Sequence, residues 1–274
     1  MGYESYYNLI EHPFSLAADE RFYYDSPQHS KALLKLSHAV ETEKGLALLI
    51  GPLGTGKTTL SRRLLDQSLD QRAEATLLVI VHPEITSLWF LKKIALMLDA
   101  GSEGEDKIKI ITAVYHRLLD LARERRKVVI LIDEAHMLRS KEIMEEIRGL
   151  LNLESERGKL LNFVLFGLPE TEEYLKFDPP LHQRVAIRCM LETLDENATY
   201  GYISHRLRVA GGSQSLFDRE ALKAIYFYSR GNPRAINTIC DNALLEGCLL
   251  KREQIDVTIV DDTAQDLGLL TKDN

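Results

Sequence analysis

The chain has 274 residues, 45% hydrophobic and 27% charged, which suits one large domain or a core with a smaller companion. Its net charge of −7 argues against avid, indiscriminate nucleic-acid binding and leaves only a local basic patch for such contacts. No apolar run approaches the roughly 18 residues that span a bilayer, and no basic-then-apolar leader opens the chain. The cysteines, Cys189, Cys240 and Cys248, are odd in number and lack metal-ligand spacing, which points to a reducing, cytoplasmic setting.

Residues 1–30 are rich in aromatics (Tyr3, Tyr6, Tyr7, Phe14, Phe22, Tyr23, Tyr24) and carry Pro13 and Pro27. They read as an extended arm packed on the core; whether part of it also borders a nucleotide base stays open. A helix follows over His29–Val40, with Leu33, Leu36 and Val40 on one face. The run Leu46–Ile50 is a short buried strand. Directly after it, Gly51-Pro52-Leu53-Gly54-Thr55-Gly56-Lys57-Thr58 fits the pattern G-x-x-x-x-G-K-S/T at every fixed position. Leu60 and Leu64 then start a helix, so the loop lies between strand and helix, the context this pattern requires. Its glycines let backbone N–H groups turn inward to phosphate oxygens, and the helix adds the positive end of its dipole. The spacing assigns Lys57 to the β- and γ-phosphates and the Thr58 hydroxyl to Mg²⁺, with Gly51 to Thr59 as the nucleotide-binding segment.

A second strand covers Thr76–Val81 and ends at His82-Pro83. Leu88, Leu91, Ala95 and Leu98 mark a helix closed by Ala100-Gly101, and Ser102–Lys107 is a polar loop. Ile111, Val114, Leu118 and Leu121 mark another, ending on the basic run Arg123, Arg125, Arg126, Lys127. That run favours a helix C-terminus, or with Arg62-Arg63 offers phosphate contacts. The third strand, Val128–Ile132, is an unbroken apolar run that ends in Asp133 and Glu134. Ligands of parallel sheets bind beyond the strands' carboxyl ends, so Asp133 is placed to hold Mg²⁺ and Glu134 to polarise an attacking water. Phosphate loop and acidic pair are jointly required for one reaction, hydrolysis of a nucleoside triphosphate.

Ile143, Ile147, Leu150 and Leu151 form an amphipathic helix. A fourth strand follows over Leu160–Gly167 and a short fifth over Val185–Leu191, after Gln183-Arg184. From Asp195 onward strands give way to helices. Ile203 and Leu207 mark the first; Asp218 caps the second, stopped by Gly231; Pro233 opens the third; the fourth covers Thr258 to Leu267. The expectation is an α/β P-loop NTPase fold, a five-stranded parallel sheet with a C-terminal helical lid. Its divisions are an arm over 1–30, a core over 31–194 and a lid over 195–274.

With these motifs the chain resembles the AAA+ ATPases, and within them the ExeA, or general secretion pathway protein A, type. Tyr7-Asn8-Leu9-Ile10-Glu11-His12-Pro13-Phe14-Ser15-Leu16, Arg21-Phe22-Tyr23-Tyr24 and Ser26-Pro27-Gln28-His29 look like that family's leader. Gly45 to Thr59 looks like its Walker A region, and Ile132-Asp133-Glu134-Ala135-His136 like its Walker B. Gln183-Arg184 and Gly231-Asn232-Pro233-Arg234-Ala235-Ile236-Asn237 look like its late signatures. The resemblance implies ATP rather than GTP, and no guanine-reading Asn-Lys-x-Asp appears. It implies that Arg234 is a sensor-2 arginine touching the γ-phosphate. It implies that Arg184 is an arginine finger offered to a neighbouring subunit's ATP, with Arg188 as the second choice. Such a finger is worth roughly 10³–10⁵ in rate.

It further implies an ATP hydrolase that assembles as a ring or dimer and drives secretion or cell-envelope machinery through a membrane-bound companion. Secretion-type members continue into a membrane span and a periplasmic peptidoglycan-binding module, neither of which lies in these 274 residues. The expected location is the cytoplasm, either as a stand-alone protein or as the cytoplasmic portion of an inner-membrane one. The alternative is an ATP-dependent regulator of DNA transposition that selects targets by assembling on DNA. In one respect the sequence departs from the family. Where Gly-Gln-Pro-Glu is common at the end of the fourth strand, this chain has Gly167-Leu168-Pro169-Glu170. Leu168 cannot hydrogen-bond to phosphate or water, which leaves two alternatives, slow hydrolysis or substitution by Asn162 or Glu170, and the polar position unassigned.

Overall fold

A computed structural model describes residues 2–17, 19–71, 73–101, 106–156 and 158–269. The polar loop expected over Ser102–Lys107 lies partly outside them. The chain divides into two compact units: an α/β unit of Pro27–Leu53 and Lys57–Leu191, and a helical unit of Met1–Ser26, Gly54–Gly56 and Glu192–Asn274.

Five parallel strands organise the α/β unit: β1 (Leu46–Ile50), β2 (Glu74–Val79), β3 (Val128–Asp133), β4 (Asn162–Gly167) and β5 (Val185–Met190). Their order across the sheet is β2-β3-β4-β1-β5. The central strands are almost wholly apolar because helices cover both faces, and β3 and β4 are buried at every residue, including Asp133 and Asn162 at their ends. Edge strands β2 and β5 are more open to solvent. Asn162 fixes the starts of three segments: its Oδ1 accepts from Gly45 N (2.9 Å) and its Nδ2 donates to Val128 O (3.2 Å). Strand β2 ends earlier than the expected Val81. Its partner β3 stops at Asp133, whose carbonyl accepts Ile80 N (3.1 Å), and Val81 is exposed. Strand β4 begins at Asn162 rather than Leu160. The preceding residues form a small hairpin, Glu154–Ser155 with Gly158–Lys159, that leads Leu160 and Leu161 into the core.

The covering helices are α1 (Pro27–Glu41), α2 (Lys57–Asp70), α3 (Ser87–Met97), α4 (Lys107–Arg123) and α5 (Lys141–Leu150). Thr86, Asp106 and Ser140 cap the last three, each side chain accepting a backbone N–H of the first turn. Two short helices between β4 and β5, Glu170–Leu175 and Pro179–Gln183, were not expected from periodicity. The second carries its own start signal, Asp178 accepting Leu181 N (3.0 Å) ahead of Pro179.

The helical unit packs α6 (Glu196–Val209), α7 (Arg219–Ser229), α8 (Pro233–Leu249) and α9 (Val257–Asp266) around its own core. Asp195, Asp218, Asn232 and Asp256 cap them, including the cap expected at Asp218. The N-terminal segment belongs here, which corrects the expectation of an extended arm on the α/β core. It forms a helical turn (Tyr3–Tyr6) and a 3₁₀ turn (Glu20–Phe22), and its Tyr3, Tyr7, Leu9, Phe14 and Phe22 share an apolar cluster with Leu207, Phe217, Ile239 and Leu244. Buried Arg206 ties it down. Its guanidinium donates to Pro13 O, Ser15 O (2.9 Å) and the Tyr202 hydroxyl (2.8 Å) and stands 4.9 Å over the Phe22 ring. A buried guanidinium needs this full set of acceptors, and the arm's carbonyls supply them.

Candidate nucleotide site

The phosphate loop leaves the carboxyl end of β1. Gly51 N donates to Gly167 O (3.2 Å), so the loop's first residue is tied to the end of the neighbouring strand β4. Gly54 and Gly56 have φ of +80° and +93°, a backbone region that disfavours any side chain. The loop tip Gly54–Gly56 groups with the helical unit. There a Cβ on Gly54 would stand 2.6 Å from Asn232 Oδ1 and 2.8 Å from Arg234 Cβ. Glycine is therefore required both by the turn and by the start of α8. Thr55 is fully buried, Pro52 and Leu53 are exposed, and Thr58 and Thr59 follow Lys57 in the first turn of α2, Thr58 exposed and Thr59 half-buried.

Lys57 is 8% exposed, and its ammonium donates to Gly51 O (2.9 Å) and Pro52 O (2.8 Å). Burial pulls its pKa below the ordinary lysine value; the charges of Glu134, Asp133 and Glu170 oppose that shift. This coupling brings the sequence-predicted lysine and both carboxylates into one electrostatic neighbourhood.

Strand β4 separates β1 from β3, so the strand ends that lead into the loop and the acidic pair lie about 10 Å apart, two strand spacings. Asp133 is 2% exposed at the end of β3, and its Oδ1 accepts Glu134 N (2.9 Å). Glu134 turns into the left-handed conformation (φ 56°, ψ 36°), which swings the chain from the strand into a 3₁₀ turn, Ala135–Met137. Non-glycine residues take this conformation at a cost, and such strain gathers at functional sites. Among the described residues no cluster of three or more His, Cys, Asp or Glu exists to cage a metal. The donor set of one buried carboxylate and one hydroxyl fits Mg²⁺, which keeps its waters and takes phosphate oxygens as its other ligands.

Of the proposed substitutes for the polar group missing at Leu168, the structure removes one. Asn162 stands at the opposite end of β4, roughly 17 Å of strand from Gly167, with its amide committed to Gly45 and Val128. Glu170 remains within electrostatic reach of Lys57. Arg184 caps the helix before β5 and is half-buried; among the described residues its guanidinium has no hydrogen bond or ion pair. Arg188 is committed, to Glu172 (3.2 Å), Val185 O (3.1 Å) and His182 O (2.9 Å). Arg234 is exposed in the first turn of α8. No role for His136 follows from the sequence, although its ring lies buried against Glu134. Two residues' separation from the acid is the signal that marks it.

An AAA-domain family model matches residues 40–175. General secretion pathway protein A of Aeromonas hydrophila is 35% identical over 248 residues, 89% of this chain and 44% of that protein, so the chain spans less than half of its relative. Among solved structures, Cdc6p from Pyrobaculum aerophilum has a TM-score of 0.72 at 16% identity, over 94% of this chain and 71% of that one. The Aeropyrum pernix ORC2 protein in ADPNP and ADP complexes has a TM-score of 0.66 at 12% identity, over 96% and 72%. The Thermotoga maritima RuvB Holliday junction branch migration motor has 0.59 at 21% identity, over 94% and 74%. These three share the fold. Sheet order, phosphate loop and sequence matches together place the chain in the AAA-domain family of P-loop ATPases, with its likeness inside that family to General secretion pathway protein A.

Proposed function

We propose that the protein hydrolyses ATP and uses the cycle to switch or assemble a partner complex, most closely of the secretion or envelope-assembly kind. The observation that carries the proposal is that the glycine loop bearing buried Lys57 and the pair Asp133-Glu134 follow the carboxyl ends of two parallel strands separated only by β4. In this reading the N–H groups of Gly51 to Thr59 cradle the phosphates, and Lys57 leaves the loop carbonyls to bridge the β- and γ-phosphates. Thr58 and Asp133 hold Mg²⁺, which when bound neutralises charge on the β- and γ-phosphates. Glu134 accepts a hydrogen bond from the attacking water and holds it in line with the γ-phosphate. Arg234 contacts the γ-phosphate from the start of α8, and Arg184 serves a neighbouring subunit as the finger, a role supported by its uncommitted guanidinium.

The secretion assignment rests on the 35% identity to General secretion pathway protein A, and with it come a membrane-bound companion, a homo-oligomeric ring or dimer, and a cytoplasmic location. Among the described residues no helix is long and apolar enough to cross a membrane. For a DNA-assembled regulator the basic run is partly paired: Arg123 pairs with Asp120 (2.7 Å) and Arg126 with Glu74, while Arg125 is exposed and Lys127 donates to Glu41 O (2.6 Å).

The test is the mass in solution by light scattering, with and without ATP, for the parent and the Glu134→Gln variant, each with and without duplex DNA. Oligomers that need ATP and ignore DNA are expected. Assembly only on DNA, lost as salt rises, would overturn the secretion reading in favour of the DNA one.

A further inference from the structure

We propose that His136 is the positioning residue for the Glu134 carboxylate and serves in place of the polar side chain that Leu168 does not provide. The proposal rests on the reading of Glu134 as the group that orients the attacking water. His136 is nine-tenths buried, and its Nδ1 stands 3.3 Å from Glu134 Oε2 without an aligned hydrogen-bond partner. A ring nitrogen withdrawn from water and left unpaired is costly, so the ring gains from any carboxylate rotation that lines Oε2 up with Nδ1–H. Glu134 remains about one-third exposed and is free to make that rotation. The left-handed turn at Glu134 is what brings the two side chains together, because it folds the chain into the 3₁₀ turn that carries His136.

Strand β4 makes room for this arrangement. A Cβ on Gly167 would stand 3.1 Å from His136 N and 2.1 Å from Thr171 Oγ1, and Thr171 Oγ1 is itself buried without a partner. A side chain at 167 would crowd both Thr171 and the backbone of the His136 turn. The next residue, Leu168, has no atom that can hydrogen-bond to water or phosphate. In this chain the orientation of Glu134 is therefore set from its own loop, by His136, rather than from the neighbouring strand.

Three substitutions separate positioning from folding. His136→Asn keeps an amide where Nδ1 lies, His136→Gln moves it to the place of Nε2, and His136→Ala removes both. In multiple-turnover phosphate release from ATP with Mg²⁺, the Ala and Gln variants are expected to lose roughly 10- to 100-fold in kcat, the scale of a small misplacement of a reacting group. KM for ATP and the affinity for ADP should stay at parent values, and the Asn variant should recover most of the rate. In the full chain with ¹⁵N-labelled histidine, Glu134→Gln should move the His136 Nδ1 resonance. The proposal is overturned by an Ala variant at parent rate, by rate and nucleotide affinity falling together, by an Asn variant as slow as Ala, or by an Nδ1 resonance indifferent to Glu134. Absence of any Glu134-dependent turnover in the parent would remove the hydrolysis reading. The resonance would still decide whether His136 and Glu134 are paired.

Discussion

Lys57 is held by a balance that a phosphate would tip. Burial disfavours its charge, the carboxylates of Glu134, Asp133 and Glu170 favour it, and two loop carbonyls occupy its donors. Polyphosphate oxygens offer stronger, charge-assisted acceptors than neutral carbonyls do. Lys57→Ala should therefore weaken ATP binding by about 100-fold, the worth of one or two charged hydrogen bonds, measured by calorimetric titration. Folding should survive, checked by a circular dichroism melt, because the Lys57 ammonium hydrogen-bonds only to two loop carbonyls. Retained affinity in a folded variant would show that phosphates bind elsewhere.

At the scale of elements, the segment between β4 and β5 depends on one ion pair. Asp178 is 3% exposed, caps the helix Pro179–Gln183 and accepts from Arg148 Nε (2.8 Å) on α5. Burial alone would raise its pKa, but the Arg148 hydrogen bond, the Leu181 N–H and the Arg148 charge outweigh burial and hold it below the usual carboxylate range. The sign follows: the folded-state value is depressed, so the contribution is complete above the unfolded value near pH ~4 and is lost as pH falls through the folded value. Asp178→Asn keeps a capping side chain and removes the charge. Its melting temperature at pH 7 should drop by about 2–4 °C, with a flatter decline below pH ~4 than the parent shows, read by circular dichroism melts.

Element boundaries show what a sequence can carry. The five strands, the cap at Asp218 and the helix start at Pro233 were legible because apolar runs, capping residues and proline act locally. The end of β2 was not, because it is set by where β3 stops, a contact between residues far apart in sequence. The destination of the N-terminal aromatics was equally hidden. Their spacing marks them as buried, but the choice of the helical unit is made by Arg206 and the seam around Phe217. In the site, motif spacing named Lys57, Asp133 and Glu134. The exclusion of Asn162 and the approach of His136 to Glu134 needed coordinates, since both depend on which end of a strand or side of a turn a residue occupies.

At the scale of the whole molecule, two units each keep a core of their own, one built on the parallel sheet and one on α6 to α9 with the N-terminal segment. In the proposed function, the acid at the end of β3 turns over the ATP that the loop after β1 binds. Multiple-turnover phosphate release by the parent and by Glu134→Gln, at saturating ATP and Mg²⁺, tests it most directly. Steady release by the parent and a loss of about 10²–10⁴-fold in the variant, with ATP binding intact, are expected. Equal rates in the two proteins would contradict it.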